Sequence, residues 1–361
     1  MNRIMSLFLI AFCFCRIGSA AAELPAVTLA RDGIRCWHDV AYGTRGDLPD
    51  EGDGFTGKGG WQWPGLPWKS CRHRSGQFLD VFAPDQVRTN ATVVLYLHGG
   101  AWSQSYDKDA PPFDLFAPLL AGGAVVGTAN YILQADLTAD KTKATRKEAS
   151  FAEMLRDIDA AATRLGGFAR ALGVTEPRLV VMGESAGGHL ALLYAYDQDN
   201  PAKPGLGLKH GIRITKVVNI VGPTGLAEKE FVDSMTRNFF FFKVRNRMFS
   251  LLMRRLVGTS DDTPEDEVFP LMAKWSPVDL VCAQSVPTVL AYGKVKKWLA
   301  TDGLVHASQF TLLERRLAEV GVACVSRGFV PANHGEVRPK GAKWIAKQTL
   351  EANVEGVGKR E

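Results

Sequence analysis

Between residues 92 and 325, short β-branched apolar runs recur, separated by longer segments of helical or irregular pattern. Thr92–Leu97, Ala124–Ala129, Pro177–Met182, Lys216–Val221, Pro287–Gly293 and Val322–Val325 each read as a buried strand. Upstream, Asp39–Gly43 and Phe78–Phe82 alternate apolar and polar positions, the pattern of half-buried edge strands. Residues 146–172 place Phe151, Met154, Leu155, Ile158, Ala162 and Leu165 near a helical period and predict a long amphipathic helix. His189–Ala195 reads as a compact apolar helix suited to burial behind a sheet. Strands alternating with helices predict an α/β fold with a mostly parallel central sheet covered by helices. In such sheets ligands bind at the carboxyl ends of the strands.

Two segments break the rhythm. Thr44–Gln77 has neither helical nor strand period and is rich in Gly, Pro and Trp, including Trp61, Trp63 and Trp68. It predicts a long loop whose tryptophans either line a cleft or pack on the surface. Residues 225–257 carry an apolar and basic stretch from Asn238 to Arg255 that reads as helical. We expect a cap inserted over the active site, in preference to a helix lying on a membrane surface.

Composition narrows the class. The 361 residues are 46% hydrophobic, enough for one large core. A net charge of +5, spread along the chain, does not suggest nucleic-acid binding. Arg3, the apolar run Ile4–Cys15 and the small residues Ser19–Ala22 form a signal-peptide pattern, with cleavage expected before Glu23. The expected organisation is therefore a signal peptide at 1–22 and one domain at 23–361, secreted or periplasmic. Cys36, Cys71, Cys282 and Cys324 remain, and for an exported chain we expect Cys36–Cys71 and Cys282–Cys324 disulfides. No zinc-ligand spacing is present in the sequence.

The chemistry concentrates in three places. Gly183-Glu184-Ser185-Ala186-Gly187-Gly188 directly follows the strand at 177–182 and precedes an apolar helix. A G-x-S-x-G in that setting reads as a nucleophile elbow, which thrusts the Ser185 hydroxyl out at the end of the sheet. His98-Gly99-Gly100-Ala101-Trp102 follows the strand at 92–97 and matches an HGGG-type oxyanion segment, with Ala101 as its third small residue. Backbone N–H groups of Gly99, Gly100 and Ala101, with that of Ala186, are the expected oxyanion donors. His334, in Pro331-Ala332-Asn333-His334-Gly335, lies after the last strand, where a base is needed. His98 and His189 are expected to be structural, and His306 is the lesser alternative base. For the acid we assign Asp302, with Asp279 as competitor. No metal or cofactor is required by this chemistry.

With Leu79-Asp80-Val81 and Trp275-Ser276-Pro277, these motifs resemble the α/β-hydrolase superfamily, in the esterase/lipase group with HGGxW and GxSAGG signatures, carboxylesterase or BD-FAE-like. The resemblance runs from about Asp39 to the helix near Trp344. It implies a Ser-His-Asp triad of Ser185, His334 and Asp302 and an acyl-serine intermediate; the leading expectation for the substrate is a small-molecule or carbohydrate-linked ester. The alternatives are an arylformamidase-like amide hydrolase and a non-catalytic binding protein on a hydrolase scaffold. This chain departs from the pattern in a long 44–77 loop and in an acid placed late after its strand.

Overall fold

The computed structural model describes residues 24–44, 76–103, 111–134, 149–197, 206, 208–228, 231, 250–294 and 307–352. In chain order the elements are β1 (Leu29–Arg31), β2 (Ile34–Ala41), β3 (Phe78–Pro84), β4 (Val93–Leu97), α1 (Phe113–Ala121), β5 (Val125–Ala129), α2 (Phe151–Ala171), β6 (Arg178–Glu184) and α3 (Ala186–Asp197). Then come β7 (Arg213–Ile220), α4 (Glu265–Lys274), α5 (Pro277–Leu280), β8 (Thr288–Gly293), α6 (Ala307–Glu319), β9 (Cys324–Phe329) and α7 (Val337–Leu350). The strands form one sheet in the order β1-β2-β3-β5-β4-β6-β7-β8-β9. From β5 to β9 every pairing is parallel, and β1, β2 and β3 join by antiparallel pairing. This is the α/β-hydrolase fold.

The parallel strands form where the β-branched runs lie. Every residue of β4 and β5 is buried, because helices cover both faces. On α2 the predicted apolar positions, from Phe151 to Leu165, are all buried. The helix begins at Phe151, later than the pattern suggests, because Ser150 caps it: the Glu153 carboxylate accepts the Ser150 backbone N–H at 3.0 Å. Among the described residues no helix is long and apolar enough to cross a membrane.

The sheet corrects two expectations. β3 is not an edge strand: it lies between β2 and β5, and five of its seven residues are buried. Its polar position, Asp80, faces inward at 1% exposure. There it accepts the backbone N–H of Asp39 at 2.9 Å and meets His38 Nδ1 at 2.7 Å, where β2 bulges. Nor are Cys282 and Cys324 bonded; both are free thiols. Cys282 sits in a turn closed by Ser285, while Cys324 opens β9 opposite Thr288, where burial pushes its thiol well above the ordinary range. Lying in the same part of the fold did not bring the two sulfurs together. The Cys36–Cys71 expectation involves Cys71, outside the described residues; Cys36 is buried on β2.

The order reverses at β4: β5 lies on one side of it and β6 on the other. Such a switch point opens a crevice at the carboxyl ends of the strands. The two small-residue motifs both empty into it.

Candidate active site

Leu97, the last residue of β4, is in register with Gly183 on β6. The loop starting at His98 and the turn holding Ser185 therefore leave neighbouring strands side by side. Ser185 has φ +56°, a left-handed conformation that a serine adopts only when its surroundings impose it. Those surroundings are visible. The Ser185 N–H donates to the Ile220 carbonyl of β7 at 2.8 Å, and the Ser185 carbonyl accepts the His189 N–H at 3.1 Å, opening α3. A Cβ on Gly187 would run into the carbonyls of Leu97 and His98, so only glycine lets the turn press against the end of β4. Because the first bond of α3 reaches back from His189, the N–H of Ala186 is left without a partner inside the helix. Ser185 itself is half-buried and Ala186 is buried.

The second motif lies against the first. A Cβ on Gly99 would sit 3.2 Å from the Ser185 Cβ. Gly100, Ala101 and Trp102 all have positive φ, at +112°, +51° and +60°. This left-handed run turns the loop over, and the Ser103 N–H closes it onto the Gly100 carbonyl at 3.1 Å. His98 is buried and held rather than offered to solvent. Its ring stacks on Tyr131 at 4.4 Å, its Nδ1 lies 2.8 Å from the Gly99 carbonyl, and the Tyr131 hydroxyl donates to the His98 carbonyl at 2.8 Å. His189 is likewise structural: fully buried, it donates from Nε2 to the Trp275 carbonyl at 2.8 Å. Burial lowers its pKa to about 4, partly offset by that hydrogen bond.

His334 lies half-buried in the loop between β9 and α7. Its neighbours fix the loop: Glu336 accepts the Asn333 N–H at 2.9 Å, Asn333 Oδ1 accepts the Gly335 N–H at 3.1 Å, and Lys340 Nζ donates to the Pro331 carbonyl at 2.7 Å. The loop also rests on the end of β8, where a Cβ on Gly293 would strike the Ala332 carbonyl. Asp302 and His306 lie outside the described residues. Asp279 is exposed in α5, where its N–H donates to the Ser276 carbonyl at 2.9 Å. In the cap interval, residues 250–256 are helical with Leu252, Met253 and Leu256 buried, while 229–230 and 232–249 fall outside the described residues.

One cluster has no sequence signal. Glu184, the residue before Ser185, accepts the Arg338 Nε–H at 2.7 Å and the Tyr96 hydroxyl at 3.1 Å. Arg338 also pairs with Asp114 of α1. A separate group of His38, Asp39 and Asp80 has ligand-type atoms within 4.8 Å of one another. It clamps the β2 bulge, four places along the sheet from β6.

The BD-FAE family model matches residues 79–317. No curated protein matches the chain by sequence. Among solved structures, a truncated carbohydrate esterase from gut microbiota is similar, with 17% identity and a TM-score of 0.57, over 88% of this chain and 96% of that one. The thermophilic carboxylesterase EstE1, cloned from a metagenomic library, shares 17% identity at a TM-score of 0.56, covering 92% and 91% of the two chains. An esterase of Pyrobaculum calidifontis shares 19% identity at 0.55, covering 76% and 81%. At these identities the likeness is one of fold.

Proposed function

The chain belongs to the BD-FAE family, and on that premise we propose that it is a carboxylic ester hydrolase that works through an acyl-serine. The observation that carries this reading is the contact between Gly99 and a left-handed Ser185 at the switch point of the sheet. A serine hydroxyl is a weak nucleophile, so it needs a base beside it and donors for the oxygen it makes negative. In the proposed cycle His334 takes the Ser185 hydroxyl proton as Oγ attacks the ester carbonyl carbon. The carbonyl oxygen, now an oxyanion, is held by the N–H of Ala186 and those of the Gly99–Ala101 segment. Collapse breaks the ester C–O bond, and His334 returns the proton to the leaving alcohol. Water, deprotonated by His334, then releases the acid and restores Ser185. Losing one oxyanion donor in such a site raises the barrier by about 3 kcal/mol. We assign Asp302 as the carboxylate that orients His334, residues 225–257 as a cap, and residues 1–22 as an export signal to the periplasm or beyond.

The substrate class we propose is a short-acyl or carbohydrate-linked ester. The structural likeness to a carbohydrate esterase supports this choice. A para-nitrophenyl ester series of increasing chain length, run beside an aryl formamide, tests it. We expect the shortest esters to be fastest, the formamide to be slow, and Ser185→Ala to abolish both turnover and fluorophosphonate labelling. Turnover of the formamide alone would replace the ester reading with an amide one. A wild-type protein that neither turns over nor labels would remove the enzyme reading altogether.

A further inference from the structure

Glu184 stands immediately before the proposed nucleophile, and its side chain is engaged in a cluster with Tyr96 and Arg338. Its Oε2 receives two donors: the Tyr96 hydroxyl at 3.1 Å and the Arg338 Nε–H at 2.7 Å. The side chains of Glu184 and Arg338 are only 18% and 21% exposed, so solvent screens the pair weakly. Arg338 then uses Nη1 on Asp114 of α1, a helix that packs along α7. The segments joined are not arbitrary. Tyr96 lies on β4, two residues before His98 and the proposed oxyanion loop. Glu184 ends β6, one residue before Ser185. Arg338 lies in the first turn of α7, four residues after His334. A single carboxylate oxygen thus gathers the three chain segments that carry donors, nucleophile and base.

The local electrostatics agree with a tight cluster. Burial and then the Glu184 carboxylate push the Tyr96 phenol well above its ordinary range, so Tyr96 remains a donor. Burial alone would lower the Arg338 pKa, but Glu184, Tyr96 and Asp114 outweigh it and leave Arg338 more firmly charged. A planar guanidinium bridging two carboxylates fixes orientation as well as distance, which a lysine ammonium cannot reproduce.

Resting on the reading of Ser185 and His334 as nucleophile and base, we propose that Glu184 and Arg338 are positioning residues that set the His334 loop against the elbow and the oxyanion loop. They touch no reacting atom in this scheme. Their effect is to hold the base within proton-transfer reach, where small displacements are costly.

The test compares wild type with Arg338→Gln, Arg338→Lys, Glu184→Gln and Asp114→Asn on para-nitrophenyl acetate. It reads kcat, KM, the rate constant of fluorophosphonate labelling and the thermal midpoint of each protein. Misplacement of a reacting group costs up to ~100-fold, so Arg338→Gln and Glu184→Gln are expected to lower kcat and labelling ~10- to ~100-fold, with KM within about twofold. Arg338→Lys should recover part of the loss, and Asp114→Asn should lose the least. The inference is overturned if Arg338→Gln labels and turns over like wild type. It is equally overturned if the losses vanish well below the variant's own thermal midpoint, because the cluster would then serve only stability. A wild type that neither labels nor turns over overturns the hydrolase reading and this inference with it. A labelled wild type with an equally labelled Arg338→Gln overturns this inference alone.

Discussion

Around Ser185 the chain is held chiefly by backbone against backbone; around His334 it is held chiefly by side chains reaching across loops. In the first region the turn is locked by the Ile220 carbonyl, by glycines that admit the carbonyls of Leu97 and His98, and by a buried Asn219 whose amide bridges Gly222 at 2.7 and 3.0 Å. In the second, Glu336, Lys340, Asn333 and Arg338 do the holding, and every residue of the adjacent β9 is only half-buried. A backbone-locked turn tolerates almost no added atom. A side-chain-held loop tolerates added atoms and answers instead to charge and pH.

The sharpest way to break this contrast is a matched pair of glycine substitutions. Gly187→Ala forces a Cβ into two carbonyls, and we expect orders-of-magnitude loss of ester turnover together with poor folding. Overpacking of this kind costs roughly 1–3 kcal/mol or more even where the backbone can shift. At Gly335, beside His334, a Cβ meets nothing nearer among the described residues than Asn333 Oδ1 at 3.8 Å. Gly335→Ala should change stability by less than about 0.5 kcal/mol in chemical denaturation. Equal damage from both variants would erase the distinction.

Next in size is an acid response belonging to the Ser185 region. His189 is buried neutral, with its pKa lowered to about 4 against 6.5 in the unfolded chain. The unfolded state therefore binds the extra proton first. Stability is full above about pH 6.5 and falls as pH drops toward 4. The difference between the two states corresponds to about 3 kcal/mol. Urea midpoints measured from pH 7 to 4 should show this slope in wild type and a flatter one in His189→Gln.

Two smaller effects belong to α7 and the His334 loop. Lys216, on β7 and 4% exposed, donates from Nζ to the carbonyls of Gln348, Thr349 and Glu351, capping the end of α7. Lys216→Met strands those carbonyls and should cost about 2 kcal/mol of stability, with kcat at low temperature unchanged. Glu336→Gln should do least. Its carboxyl pKa is lowered by the Asn333 N–H and then by Lys340, so its contribution is present above about pH 4.5 and fades as acid protonates it. A thermal midpoint slightly below wild type at pH 7, and equal to it in strong acid, is the expected pattern.

The same contrast explains what could be read from the sequence. β4 to β7 and the elbow were legible because burial on both faces writes continuous β-branched runs, and because a turn made of backbone contacts demands small residues at fixed spacing. The tie between Glu184 and Arg338 was not legible: 154 positions separate them, and nothing local to either marks the other. α1 and α4 were hidden by Pro118 and Pro270, residues that ordinarily argue against a helix. β3 was misplaced because Asp80 reads as a surface position, whereas its carboxylate is consumed inside by His38 and Asp39. The Cys282–Cys324 expectation failed for a related reason, since nearness in the chain's plan says nothing about where two thiols point.

The reversal of strand order at β4 has a consequence in time. The site we propose takes its parts from residues 96–102, 183–189 and 334–338, so no shorter stretch of the chain holds them all. During synthesis the elbow can form once β7 supplies the Ile220 carbonyl, more than a hundred residues before His334 is made. A nascent or truncated chain would hold a shaped turn without His334, the base we propose for it. Under the proposed scheme reactivity arrives as a last event, when the final helix docks.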